Sequence, residues 1–165
     1  LITRETGVPN WEALQEIKEC IYILENLLQE STDIYGKKSK EENLQGISVE
    51  KKGRGVIACI TPYKVPLLKN VKQIPKVIAT GTTSVLLPSE FPPQVTVKFA
   101  ETLDEAGLPG GVVNYVTGDP FDIGDVLTSH PGIAAVNFCG SPVIGKRVAE
   151  IAAKDLKPIT LELGG

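Results

Sequence analysis

The stretch Ile133–Gly145, reading IAAVNFCGSPVIG, sets an apolar run against a cysteine, two glycines, a serine and a proline. Ile133 to Val136 read as a buried strand that breaks at Cys139-Gly140 and turns into a helix. Pro142 suits the first helical position, where no N–H is needed, and Gly145 on the first turn permits close approach of a neighbour or ligand. A strand that delivers its end to a helix N-terminus makes an anion site, because free N–H groups and the helix dipole both point outward. An ordinary strand-to-helix turn has the same composition. The stretch gains weight from the tail one helix and one strand later, Ile159-Thr-Leu-Glu-Leu-Gly-Gly165, where Glu162 could accept a proton.

The thiols and the imidazole offer less. A cysteine near a helix N-terminus, as Cys139 would be, can have a lowered pKa. Yet it would stand where the anion belongs, and it reads as a packing residue, as do Cys20 and Cys59. His130, the one histidine, precedes Pro131 in a turn with no second ligand or base in sequence reach.

The elements that would position these residues follow from pattern. Trp11, Leu14, Ile17, Ile21, Leu24 and Leu28 recur at helical spacing, predicting an amphipathic helix with that stripe in the core. Residues 31–54 are polar, with charge clusters at 37–42 and 50–52, and read as a solvated loop or edge hairpin. Beyond Gly53 come short apolar runs without polar alternation, as in strands covered on both faces: Val56–Ile60, Ser84–Leu87, Val112–Val116, Ile133–Val136 and Ile159–Leu161. Between them lie helical stretches at 70–80 (interrupted by Pro75), 93–106 with Gly107 as its stop, 119–127 capped by Asp119, and 142–154. Strands alternating with helices predict an α/β fold, a doubly wound and mostly parallel five-stranded sheet with right-handed crossovers.

In such a sheet ligands bind beyond the carboxyl ends of the strands. That edge would gather Thr61-Pro62-Tyr63-Lys64, Leu87-Pro88-Ser89-Glu90, Thr117-Gly118, Phe138-Cys139-Gly140-Ser141 and Glu162-Leu163-Gly164-Gly165. No G-x-G-x-x-G follows the first strand, so the usual dinucleotide fingerprint is absent and the pattern alone leaves the ligand open. Composition narrows the setting. The 165 residues are 42% hydrophobic with a net charge of −3 and both signs spread along the chain, which favours neither nucleic acid nor a membrane surface as partner. Three scattered cysteines make no disulfide framework and point to a reducing, cytoplasmic setting. The chain starts at Leu1 and has no methionine, so it reads as a piece of a longer protein.

Phe138-Cys-Gly-Ser-(x3)-Gly145 followed by Leu161-Glu-Leu-Gly-Gly165 resembles the coenzyme-domain signature of the aldehyde dehydrogenase superfamily. Leu1–Gly7, Gly55-Val-Ile with Thr61-Pro-Tyr and Pro66-Leu67, Ala79-Thr-Gly81, Leu87–Glu90 and Glu105–Asn114 agree with it in order. The resemblance implies a variant Rossmann-like domain over 55–165 that binds NAD, with NADP as the other candidate, preceded by a helix and polar excursion over 1–54 that helps subunits associate into a homo-oligomer. It implies that Ser141 contacts the pyrophosphate and that Gly140 and Gly145 permit its approach. Glu90 would bond the adenine ribose, Glu162 would be the general base, and Leu163 and Gly164 would line the nicotinamide side. Thr61, Pro62, Leu87 and Gly118 complete the expected coenzyme edge. The chemistry implied is oxidation of an aldehyde to a carboxylic acid through a cysteine thiohemiacetal and thioester, with the nucleophile in a catalytic domain past Gly165.

Several positions depart from the family pattern. Lys64 stands where an oxyanion-holding asparagine is usual, Leu87 where a ribose-side lysine is usual, Cys139 for threonine and Thr82 for asparagine. A catalytically inactive binding or structural protein of the same fold is therefore the second reading. Reductive use of an acyl-phosphate or acyl-thioester is a third, against which the intact Leu161–Gly165 motif counts.

Overall fold

The computed structural model describes residues 1–34, 52–91 and 93–164. Strands β1 (Val56–Thr61), β2 (Thr83–Pro88), β3 (Val113–Tyr115), β4 (Ala135–Gly140) and β5 (Ile159–Leu163) form one sheet in the order β3-β2-β1-β4-β5. Every pairing in it is parallel. Helices α1 (Ile2–Thr6), α2 (Asn10–Ile34), α3 (Pro66–Ala79), α4 (Pro93–Glu105), α5 (Pro120–Ser129) and α6 (Pro142–Lys154) surround it. The predicted doubly wound α/β architecture is present, and residues 35–51 of the expected polar loop or hairpin lie outside the described residues.

Two apolar layers enclose the sheet because its strands present alternate residues to opposite faces. Cys59 and Leu86 pack with Cys20, Leu68, Val71, Ile74, Val77 and Phe99 of α2, α3 and α4. Ala58, Ile60, Leu87, Val136 and Phe138 pack on the other face with Val148 of α6, and Ile123 and Leu127 of α5 join them. The chain winds outward from β1 to β3 and then returns to add β4 on the other side of β1. The β1/β4 boundary is thus a topological switch point, the place in such sheets where the loops on either side diverge.

Two helix expectations need correction. The stripe assigned to the core of α2 faces outward, with Trp11 71%, Leu14 58%, Ile21 52% and Leu28 71% exposed. The buried line is instead Ala13, Glu16 and Cys20, with Ile23 packed beside it. Small residues let α2 approach α3 closely, and Glu16 has a task there: its Oε1 accepts from the N–H groups of Leu67 at 2.8 Å and Leu68 at 2.9 Å. That remote cap explains the second correction. α3 starts at Pro66 rather than Asn70, and it continues through Pro75. A proline inside a helix costs about 3 kcal/mol, which is offset by burial of Leu68, Val71, Ile74 and Val77 along one face.

The other helix ends are capped as their sequences require. Asp119 Oδ1 accepts from Phe121 and Asp122 at the start of α5, and Glu5 accepts from Gln94 and Val95 near the start of α4. At the C-terminal end of α5, Lys157 donates to the carbonyls of Thr128 at 2.8 Å and His130 at 2.7 Å. Its side chain is only 7% exposed, so truncation strands two carbonyls without their cation. Lys157→Met is expected to lower unfolding stability by about 2 kcal/mol, read as a reduced urea midpoint at unchanged slope. An unchanged midpoint would show that water replaces the ammonium at no cost.

Candidate functional site

The carboxyl edge of the sheet gathers most of the predicted positions. Thr61 ends β1 nearly buried, at 3% exposure, and its carbonyl accepts from Ser89 N–H at 2.9 Å, joining the β1 and β2 ends. Pro62 leads into a turn whose Lys64 is exposed and makes no hydrogen bond or ion pair among the described residues. Val65 closes that turn with φ 49° and ψ 54°, directly before Pro66. A β-branched residue in that region carries strain of about 1–3 kcal/mol. The Glu16 cap and the buried first turn of α3 hold it there.

At the β4–α6 junction, β4 runs on through Cys139 and Gly140, further than its apolar content predicts. Ser141 is the N-cap of α6, its Oγ accepting weakly from Ile144 N–H at 3.4 Å. Ser141, Pro142 and Val143 are exposed, so the helix N-terminus opens to solvent. The two glycines answer first to packing. A Cβ on Gly145 would stand 2.5 Å from Leu163 Cδ2, and one on Gly140 would stand 2.7 Å from the Phe138 ring. Their lack of side chains seats α6 against β5 and the β4 ring. Gly164 has open space around it, and its N–H donates to the Gly140 carbonyl at 3.2 Å.

On the other side of the edge a cleft of about 310 Å³ is lined by Pro88, Ser89, Glu90, Thr117, Gly118 and Asp119. Glu90 and Gly118 therefore come together as expected. The Glu90 carboxylate is exposed and has no partner among the described residues. Leu87 must be corrected. It is fully buried in the apolar layer beneath α5 and presents nothing to a ligand, because its place in the strand alternation turns it inward.

Glu162 lies on β5 opposite Cys139 of β4. Its Oε2 accepts from Lys69 Nζ of α3 at 2.8 Å, with the two side chains 43% and 23% exposed. The hydrogen bond from Lys69 holds the carboxyl below its ordinary range against the opposing effect of partial burial. Partial burial alone would raise it, and the ion pair reverses that sign. On Lys69 burial works against the charge, yet the bond and field of Glu162 carry its pKa above the ordinary lysine value. Burial pushes the Cys139 thiol up, Cys20 to about 11 and Cys59 to about 12. None of the three is poised as a thiolate. His130 accepts from Gly132 N–H and caps its own turn, as a loop residue would.

Beside Glu162 lies a second cleft of about 410 Å³, whose lining includes Lys72, Gln73, Asn137 and Thr160. Gln73 is buried, and its Oε1 has no partner among the described residues. The described residues include no cluster of histidine, cysteine and carboxylate able to hold a metal ion, and no helix long and apolar enough to cross a membrane. Lys69 and Gln73 were not singled out from sequence. The signal for Lys69 is its place on the helix after β1, but pairing it with Glu162 requires knowing that β4 and β5 lie next to β1.

The sequence profile described as the aldehyde dehydrogenase family matches residues 1–165. The chain belongs to that family. It is 37% identical over 166 residues to the succinate-semialdehyde dehydrogenase [NADP(+)] of Escherichia coli (strain K12), covering 100% of this chain and 34% of that protein. With the mitochondrial succinate-semialdehyde dehydrogenase of Arabidopsis thaliana it shares 35% identity over 167 residues, 100% of this chain and 31% of that one. The crystal structure of a betaine aldehyde dehydrogenase from Staphylococcus aureus in complex with NAD+ superposes with a TM-score of 0.87 at 30% identity, over 99% of this chain and 33% of that one. The chain thus spans about a third of the length of these family members.

Proposed function

We propose that this chain is the coenzyme-binding portion of an NAD(P)-dependent aldehyde dehydrogenase that oxidises an aldehyde to a carboxylic acid. The observation that carries the reading is the arrangement along the carboxyl edge of the sheet. The open N-terminus of α6 lies between a cleft with an unpartnered carboxylate, Glu90, and a second carboxylate, Glu162, on the neighbouring strand. These residues fit a dinucleotide. The exposed first turn of α6, with Ser141, suits a pyrophosphate, and Glu90 can accept from two ribose hydroxyls. When bound, the nicotinamide supplies the hydride acceptor.

This chain's own residues have three tasks in that reading. Ser141 and the α6 N-terminus hold the anionic centre of the coenzyme, and Glu90 sets its ribose in the cleft beside Gly118. Thr61, Pro62, Gly140, Gly145, Leu163 and Gly164 shape the edge between them. Glu162 takes a proton from the water that hydrolyses the thioester, and Lys64 lends positive charge near the substrate oxygen. The nucleophilic thiol is supplied outside residues 1–165, in keeping with the buried, unactivated state of the three cysteines here. The proposed division after residue 54 assigns the described residues 1–34 and 52–54 to a packing extension and those from 55 on to the dinucleotide domain. A homo-oligomer and a cytoplasmic location complete the reading; relatives of the chain include a mitochondrial succinate-semialdehyde dehydrogenase and a chloroplastic betaine aldehyde dehydrogenase.

Isothermal titration of the chain with NAD+ tests it. Binding is expected, and Glu90→Ala should weaken it about tenfold, the value of one charge-assisted hydrogen-bonding group. The same variant should lose less affinity for NADP+, whose 2′-phosphate the carboxylate repels. A folded chain that binds neither dinucleotide would favour the second reading, a non-catalytic binding or structural protein. The exposed Lys64 in place of an amide is the observation on its side.

A further inference from the structure

We propose that Lys69 is the positioning residue of Glu162, tying its carboxylate to α3 and keeping it anionic beside Cys139. The inference rests on the reading of Glu162 as the general base and adds a residue to it. Geometry carries it. The Lys69 Nζ–Glu162 Oε2 distance is 2.8 Å, and the pair joins the helix after β1 to β5, across the switch point from one half of the sheet to the other. A free glutamate at a strand end would sample several rotamers over an open cleft, whereas a charge-assisted bond selects one.

The other groups facing the carboxylate give it less. Lys72, one turn further along α3, is drawn away by Glu19 at 3.2 Å, and its field on Glu162 is the smallest of the contributions. Cys139 on β4 adds a hydrogen bond that also favours the anion. Lys69 is itself held: its backbone N–H donates to the Val65 carbonyl at 3.1 Å, on the turn that Glu16 clamps. The backbone from which the Lys69 side chain extends is thus fixed within the first turn of α3. A base tied in this way stays ionised further into acid, at the cost of being a weaker proton acceptor.

The test is a carbon-13 NMR titration of the chain labelled at glutamate Cδ, with the Glu162 signal assigned by its loss in Glu162→Gln. In the parent chain Glu162 should titrate below the ordinary carboxyl range. Lys69→Met should move that midpoint upward, Lys69→Arg should keep it low, and Lys72→Met should move it less than Lys69→Met. An unmoved midpoint in a folded Lys69→Met chain overturns the proposal, as does an equal shift on Lys72→Met. In the active polypeptide containing this chain, Lys69→Met should shift the acid limb of the kcat profile upward in pH by the same amount and leave the KM for NAD+ unchanged. The base reading fails separately: if Glu162→Gln retains full turnover while the NMR shifts hold, the ion pair is real and Glu162 is not the base.

Discussion

Replacing Glu16 with alanine is expected to remove about 3 kcal/mol of unfolding stability, two hydrogen bonds to an ionised acceptor in a buried site. On a chain of this size that is a fall in melting temperature of about 6–12 °C. The N–H groups in the first turn of α3 have no partners within the helix. Pro66 removes one donor, and Glu16 takes the next two, those of Leu67 and Leu68. Glu16 is 5% exposed, so water cannot replace it without opening the α2–α3 contact. The strained Val65 conformation and the Lys64 turn sit directly before that cap, so loosening it frees the loop that carries part of the site. Loss of coenzyme affinity should therefore accompany the loss of stability. An Ala variant with a melting temperature within 2 °C of the parent would show the cap to be dispensable.

Glu16→Gln separates the acceptor from its charge. The amide oxygen can still accept and carries no charge to desolvate, so this variant should keep most of the stability that Ala loses. The pH dependence has a definite sign. Burial raises the Glu16 carboxyl above 4.5 in the folded chain, more than its two backbone bonds lower it. The folded state then holds that proton more tightly than the unfolded one. Stability from this group is fully present below the unfolded value and declines as pH rises through the folded value. The stability gap between parent and Glu16→Gln should thus shrink, relative to acid, across a window that opens near 4.5.

How far the sequence determined these conclusions can be followed element by element. Asp119-Pro120 announced α5 and Pro142 announced α6 because a cap and a proline act locally, and α6 spans the predicted 142–154. Gly107, at φ 82°, ends α4 as predicted for the same reason. The strands were legible as apolar runs, though β4 extends to Gly140 because pairing with β1 and β5 holds polar and small residues in a strand. What was not legible depended on partners distant in sequence. Apolar residues occur on more than one side of α2, so periodicity could not say which side faces α3. Glu16 and Leu68 are 52 residues apart, and Lys69 and Glu162 are 93 apart. No local pattern encodes such pairs. Leu87 failed for a related reason: its motif placed it at the coenzyme edge, while the strand alternation turns it into the core beneath α5.

On the proposed reading of Glu162 as the general base, Glu162→Gln should produce the largest functional change, a fall in kcat of about 10²–10⁴-fold in a dehydrogenase that contains this chain. Glutamine keeps the size of the side chain and one accepting oxygen, so Lys69 can still bond to it and the β4–β5 register should survive. What it cannot do is take a proton from water. Hydrolysis of the thioester should then limit turnover, and the acyl group should remain on the thiol. Mixing with aldehyde and NAD+ should give a rapid burst of reduced coenzyme equivalent to the thiol present, followed by a slow steady rate. Affinity for NAD+ should change little, because Ser141, the α6 N-terminus and Glu90 are untouched. On the same reading, the acid limb with Glu162 intact should follow its depressed carboxyl, with activity held at pH values where an ordinary glutamate would already be protonated. In the Gln variant that limb should disappear. A variant that loses the burst as well would place Glu162 before hydride transfer, in activating the thiol. One that keeps both burst and steady rate would return Glu162 to the role of a strand-end carboxylate that does no more than hold Lys69.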